Sequence, residues 1–408
     1  MHHYNNKFRQ YVTMKIAIIT CGILPIPAVQ GGAVENMIDF YLELNNEKKM
    51  HDITIYSPWD SKVINHPALS SVVNHYVYID VTSFKSRIAR KVYSYFHRNE
   101  YYNYFIEYYF EKVYANLKKK DFDVIVLENS PGHTYKLSQR GYKNIILHLN
   151  NDLLNSQSRF HNAIFGGITK VLTCSNYIKD RVSTISSDSK VQTLYNAIDV
   201  NSFSSHPSAI NRQKFGFSND DFIIVYSGRI NKDKGVSELI DAMLMLKDTP
   251  SIKLMIIGGT FYGTSSNEDD FVHSLKEKVK SIEDRIVFTG FVPYKNIPDY
   301  LHLADIATLP SMWEEPFGLT IVEAMAAGLP LITTRSGGIP EICEGAATIV
   351  DRKDIVDNLA AAIVDLYEHP VKRKQMAAAS LERAKLFDKE TFAKNFFNAI
   401  EHIELSKH

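Results

Sequence analysis

Cysteine is scarce in this 408-residue chain: there are three, Cys21, Cys174 and Cys343, odd in number and far apart. They make neither a disulfide framework nor a metal-ligand spacing, and a reducing, cytoplasmic setting is the expectation. Long apolar runs are missing too. No stretch approaches the ~18–20 residues that span a bilayer, and the first residues, MHHYNNKFRQYVT, lack the apolar block of a signal peptide. Net charge is absent, with 46 Lys+Arg against 46 Asp+Glu. That balance hides an asymmetry: residues 1–200 carry 23 basic and 17 acidic side chains, residues 201–408 carry 23 and 29, and residues 81–120 alone hold 9 and 3. A general nucleic-acid coat is excluded; a local basic patch is not.

What is present is a repeated alternation. Short β-branched or apolar runs, KIAIIT (15–20), ITIYS (53–57), VVNHYVYI (72–79), DVIVLEN (123–129), NIILHLN (144–150) and VLTCS (171–175), are separated by helical or loop sequence. A polar stretch, 196–213, follows, and the alternation restarts with FIIVYSG (222–228), KLMIIGG (253–259), IVFTG (286–290), IATLP (306–310), LPLITT (329–334) and ATIV (347–350). Such a chain makes two doubly wound parallel sheets, as single cores stop growing at roughly 250–300 residues. The expected domains are 14–200, 201–388 and a terminal helix, 389–408, whose Phe392, Phe396, Phe397 and Ile400 recur at helical spacing. Ligands of such sheets bind beyond the carboxyl ends of the strands, so the loops there are where chemistry is sought.

Three loops stand out. GGAVE (31–35) places Gly31 and Gly32 before a helix, either an anion cradle or a plain turn. SGRINKDKG (227–235) combines glycines with Arg229 and Lys234, a forked and a point cation suited to a diphosphate, or a solvated charged turn. PSMWEEPFGLTIVEAMAAGLPLITTRSGG (310–338) sets Glu315 before Phe317-Gly318 and Glu323 inside an apolar helical pattern; the two carboxylates can accept sugar and ribose hydroxyls, or be a helix cap and a solvated face. The DFD string at 121–123 reads as the start of a buried strand and not as a metal site.

SGRINKDKG followed by LPSMWEEPFGLTIVEAMAAGLPLITTRSGGIPEI resembles the nucleotide-sugar half of the retaining GT4-type glycosyltransferases (glycosyl transferases group 1). The likeness extends from Met14 through GGAVE, His148, VLTCSNYIKD and LYNAIDVNSF. It implies the GT-B fold: two facing doubly wound, Rossmann-like parallel-sheet α/β domains with an interdomain cleft, the first acceptor-side and the second binding the nucleotide sugar. It also implies the roles. Arg229 and Lys234 match the pair that neutralises the donor diphosphate, Glu315 the glutamate near the donor sugar, and Glu323 the one on the ribose. Phe317, Gly318, Leu319 and Thr320 match the backbone along sugar and phosphate, and Gly31 and Gly32 the first-domain loop at the phosphate. His148 matches the active-site histidine, and Phe291 and Val292 the base pocket. Two departures are visible: PSMWEEPFG carries one residue more than the usual pattern, so Glu314 competes with Glu315, and His148 stands in the polar setting HLNND. By itself His148 reads as a structural histidine.

The implied activity is transfer of a sugar from a nucleotide-diphosphate sugar, UDP preferred, to an acceptor hydroxyl with retention. Neither metal nor cofactor is expected, and polysaccharide or cell-envelope glycan synthesis is the leading setting. A sugar-nucleotide epimerase or hydrolase on the same fold and a non-catalytic glycan-binding or coat protein are the alternatives. The stretch 84–120 remains open between two readings. Twelve Phe or Tyr lie in residues 84–114, interleaved with Lys85, Arg87, Arg90, Lys91 and Arg98. They form either ordinary helices packed on the sheet or a patch for an anionic membrane surface and a lipid-linked acceptor.

Overall fold

Parallel strands covered on both faces must bury nearly every side chain, so their sequences are continuous apolar runs without polar alternation. This holds for the inner strands of the protein, for which a computed structural model describes residues 13–97, 101–204, 210–259 and 270–405. The lead-in 1–12, Arg98, and residues 205–209 of the polar stretch lie outside the described residues. The chain divides into two units. The first runs through Cys174, takes Ile178–Leu194, and is rejoined by the chain at Glu390; the second holds Ser175–Tyr177 and Tyr195–Lys389.

The first unit contains β1 (Lys15–Ile19), β2 (Asp52–Pro58), β3 (Asn74–Ile79), β4 (Val124–Glu128), β5 (Ile145–Leu149), β6 (Lys170–Thr173) and β7 (Val191–Thr193). All seven are parallel, in the order β3-β2-β1-β4-β5-β6-β7. The short β7, reading VQT, carries too little apolar pattern to be seen in the sequence. Four helices of this unit matter below: α1 (Ala33–Lys48), α2 (Phe84–Phe96), α3 (Tyr104–Leu117) and α4 (Pro131–Gln139). Asp123 stands just before β4 and accepts the Lys15 amide at 2.7 Å, tying the starts of two neighbouring strands.

The terminal helix Lys389–Glu401 returns to the first sheet from Glu390 on. It buries Phe392, Phe396, Phe397 and Ile400. Phe396 stacks on Tyr41 of α1 with ring centroids 3.9 Å apart. Lys170 donates to the Ala399 carbonyl at 2.8 Å, near the helix C-terminus where a cation is favoured.

The second unit contains β8 (Phe222–Ser227), β9 (Ile252–Ile257), β10 (Ile286–Gly290), β11 (Ile306–Leu309), β12 (Leu331–Thr334) and β13 (Ala347–Val350), parallel in the order β10-β9-β8-β11-β12-β13. Each sheet reverses its winding once: between β1 and β4, and between β8 and β11. Loops on either side of such a reversal turn away from each other and open a crevice at the strands' carboxyl ends. GGAVE follows β1, SGRINKDKG follows β8, and PSMWEEPFG follows β11, so all three loops leave strands that flank a reversal.

Candidate active site

In the second unit, β8 and β11 are neighbours, with Ile224 beside Ile306 and Val225 beside Ala307. Their exit loops therefore meet although 81 positions separate Lys234 from Glu315. The Met312 amide bonds the Asp233 carbonyl at 2.8 Å. Gly235 allows this approach: at φ +65° its Cα lies so close to the next loop that an added Cβ would come 2.2 Å from the Pro310 carbonyl oxygen. Hydroxyls at the end of β12 brace the β11 loop from beneath, Thr334 accepting from the Ser311 amide at 2.9 Å and Ser336 donating to the Ser311 carbonyl at 2.7 Å.

On this platform Lys234 Nζ lies 2.5 Å from Glu315 Oε2. The same oxygen accepts the Trp313 indole N–H at 2.8 Å, and Lys234 lies 5.4 Å from the Trp313 ring centre. These contacts, like that of Ser311, fall on Oε2, which leaves Oε1 to accept a ligand hydroxyl. Glu314 points elsewhere: it is paired with Arg352 and accepts the Gly337 amide at 2.6 Å. Of the two adjacent carboxylates, Glu315 is the one beside the lysine. Arg229 is exposed at the end of β8, and its guanidinium has no partner among the described residues; its carbonyl accepts the Tyr226 hydroxyl at 2.8 Å.

The helix Leu319–Ala326 starts directly after Gly318, whose φ of 92° turns the chain into it, and no side chain caps it. Neither reading of Glu315 as a cap nor of Glu323 as a solvated face survives. The amides of Leu319 and Thr320 belong to the unpaired first turn, an environment that favours anions. Phe317 is buried beneath this turn. Glu323 is 6% exposed, among the buried Ile321, Val322, Ala324 and Met325. Burial raises its carboxyl from 4.5 to about 7, and the hydrogen bond from Tyr294 offsets only part of that. Beyond β10, Val292 is buried while Phe291 and Tyr294 remain about half exposed.

In the first unit Gly31 and Gly32 both have positive φ, 76° and 108°, and Gly32 precedes α1. It is the φ of 108° that calls for glycine at position 32, since the Glu35 carboxylate end that an added Cβ would meet can swing aside. His148 needs correction as a group that touches substrate. It is 1% exposed, inside β5, with Nδ1 2.9 Å from Glu128 Oε2 on the adjoining strand and Phe392 and Phe396 of the terminal helix nearby. The approach is close, but its angle is not that of a hydrogen bond. Tyr41 donates to the other oxygen of Glu128 at 3.2 Å. His148 thus belongs to a buried polar cluster. The strand-end side chain is Asn150, two positions on. Its amide N–H is held by Asn129 at 2.7 Å, and its side-chain O and N, in a residue 7% exposed, have no partner among the described residues.

Trp313, Tyr294, Gly235 and Asn150 escaped sequence reasoning. Only the unusual Trp beside two glutamates was a signal.

Residues 207–383 match the family of glycosyl transferases group 1. Spore coat protein SA of Bacillus subtilis (strain 168) is 28% identical over 410 residues, 95% of this chain and 99% of that protein. The lipopolysaccharide 1,2-N-acetylglucosaminetransferase of Salmonella typhimurium is 25% identical over 259 residues, 62% of this chain and 66% of that one. Among solved structures, Anabaena Alr3699/HepE in complex with UDP and glucose is similar with a TM-score of 0.72 at 20% identity, covering 96% of this chain and all of its own. With two doubly wound parallel sheets and these likenesses, the protein has the GT-B fold, and within its second unit residues 207–383 match glycosyl transferases group 1.

Proposed function

We propose that the protein is a retaining hexosyltransferase that moves a sugar from a UDP-sugar to an acceptor hydroxyl in polysaccharide or cell-envelope glycan synthesis. The observation that carries this is the joining of Lys234 and Glu315 where β8 and β11 end, with the exposed Arg229 on the same loop as Lys234. The UDP complex of Anabaena Alr3699/HepE supports UDP as the nucleotide.

Breaking the bond between the anomeric carbon and the diphosphate builds negative charge on the departing oxygen. Arg229, Lys234 and the amides of Leu319 and Thr320 supply fixed positive charge and donors toward it, the usual source of most of such a rate enhancement. Glu315, its Oε2 saturated by Lys234 and Trp313, offers Oε1 to a hydroxyl of the donor sugar. Glu323 accepts from the ribose, and the exposed Phe291 beside Val292 receives the base. The family resemblance implies the rest of the route: the acceptor attacks on the face the phosphate leaves and gives that phosphate its proton. With these groups present the reading requires neither metal nor cofactor. The first unit is assigned to the acceptor, with Gly31 and Gly32 keeping the phosphate-loop role that the resemblance implies. The acceptor is a glycan or a lipid-linked chain, reached from the cytoplasmic side of a membrane.

The test is turnover of purified protein with a panel of nucleotide sugars, with the anomeric configuration of the product read by NMR. Lys234→Ala and Glu315→Gln lower kcat by roughly 100- to 1,000-fold, the scale of losing one transition-state contact, while the melting temperature stays near wild type. Near-normal transfer by either variant, an inverted product or formation of an epimer would overturn the reading. So would donor binding without turnover, which the coat-protein alternative predicts.

A further inference from the structure

The aromatic, basic stretch 84–120 divides in the structure. α3 turns its aromatics inward: Tyr108, Tyr109, Phe110, Val113 and Leu117 are buried, and Tyr109 donates to the Tyr56 carbonyl at 2.7 Å. α2 does the opposite. Among its residues only Ser86 is buried. Phe84, Ile88, Val92, Tyr95 and Phe96 are 49–76% exposed. At 100° per residue these five fall within an arc of about 120°, a continuous apolar stripe along a helix roughly 20 Å long. The inward side is what holds the helix down: Tyr93 meets Tyr108 edge to face at 6.1 Å, and Arg90 lies 4.6 Å from the centre of the Phe105 ring.

Cations flank the stripe. Arg87 and Lys91 run along one border and Lys85 stands within the arc near its other edge, at the N-terminal end of the helix, all exposed, and α2 contains no carboxylate. An exposed apolar stripe of this size on a polar surface marks an interaction site. An apolar face rimmed by Lys and Arg is the pattern of a helix lying flat in the headgroup region of an anionic bilayer. A second copy related by a two-fold axis would bring the same three cations against each other, which opposes self-pairing. Nucleic acid would meet the cations but leave the central stripe without a partner. We infer that α2 docks the protein on an anionic lipid surface, with Phe84, Ile88, Val92, Tyr95 and Phe96 inserted among the headgroups and Lys85, Arg87 and Lys91 on the lipid phosphates. This docking is independent of the transfer reaction. Among the described residues no helix is long and apolar enough to cross a membrane, and α2 is a surface contact.

The test is co-flotation of the full chain with phosphatidylcholine vesicles, with and without phosphatidylglycerol. The protein floats with the anionic vesicles and far less with the neutral ones. Lys85→Gln, Arg87→Gln and Lys91→Gln together weaken partitioning on the order of 100-fold, at about five-fold for each cation near the surface. Phe84→Ser with Ile88→Ser and Val92→Ser abolishes flotation, while the melting temperature and turnover with a soluble acceptor stay unchanged, because these side chains already face solvent. Absence of flotation, equal partitioning to neutral vesicles, or full retention by the neutralised variant would overturn the inference. So would a dimer in sedimentation equilibrium that the serine variant splits, which would assign the stripe to a second copy. Because flotation needs no turnover, its failure is separate from failure of the proposed activity.

Discussion

Replacing Glu323 by glutamine changes how the second unit's stability depends on pH. The carboxyl sits among apolar neighbours with the Tyr294 hydroxyl as its partner, and burial holds it at about 7 against 4.5 in an exposed chain. Between these values the folded protein keeps a proton that the unfolded chain releases, so stability falls as pH rises through that window. The contribution is complete below about 4.5 and gone above about 7. At about 1.4 kcal/mol per pH unit, ionising the folded group costs about 3 kcal/mol. Glutamine fills the same space, accepts from Tyr294, and never ionises. The variant therefore matches wild type near pH 4, exceeds it by about 3 kcal/mol near pH 8, and melts roughly 6–12 °C higher there, for a domain of this size. Differential scanning calorimetry of both proteins over this range is the assay. With two units, the transition that moves is followed, and no single unfolding free energy is assigned. Glu35 and Asp39 of the first unit, which burial also raises to about 7, act equally in both proteins and cancel in the comparison. A difference that stays constant from about pH 4 to 8 would refute the reasoning. Under the proposed donor reading, UDP affinity in wild type also rises with pH toward 7, and the variant flattens this dependence.

Two further outcomes follow from the packing, beside those stated for Lys234, Glu315 and α2. Phe396→Ala removes the ring stacked on Tyr41 and costs about 3–5 kcal/mol, read as a lowered melting transition of the first unit with the second unchanged. A denaturation profile equal to wild type would show that the terminal helix does not stabilise the first sheet. His148→Ala removes a buried ring packed against Glu128, Phe392 and Phe396 and costs about 2–5 kcal/mol. The double change of His148 and Glu128 to leucine recovers part of this loss, and kcat per folded molecule falls far less than in Lys234→Ala. A loss of kcat as large as that of Lys234→Ala in a stably folded protein would make His148 a substrate contact after all.

The strands and the family were legible because both are local. Runs such as KIAII and FIIVYS announce buried parallel strands by composition alone, and the phenylalanines of the terminal helix by spacing. Glu315, Glu323, Arg229 and Lys234 could be named because they stand in short motifs. Two glutamates side by side, in contrast, differ only in where the turn aims them, and a histidine at a strand end looks the same whether it faces solvent or, like His148, a buried carboxylate. The aromatics of α2 and α3 are alike in type; whether each faces the sheet or water depends on how its helix is laid down.

The sequence by itself determined that the charges cancel without a basic coat, that two α/β sheets form, and where the glycine-bearing loops after β1, β8 and β11 begin, since β-propensity, glycine turns and apolar period act over a few residues. Tertiary structure alone decided that Lys234 meets Glu315 across 81 positions. The cause is a strand order that sets β8 beside β11. It likewise decided that three of the basic residues of 81–120, Lys85, Arg87 and Lys91, accompany an exposed apolar stripe on one helix, because burial is a property of what surrounds a side chain and not of its neighbours in the chain.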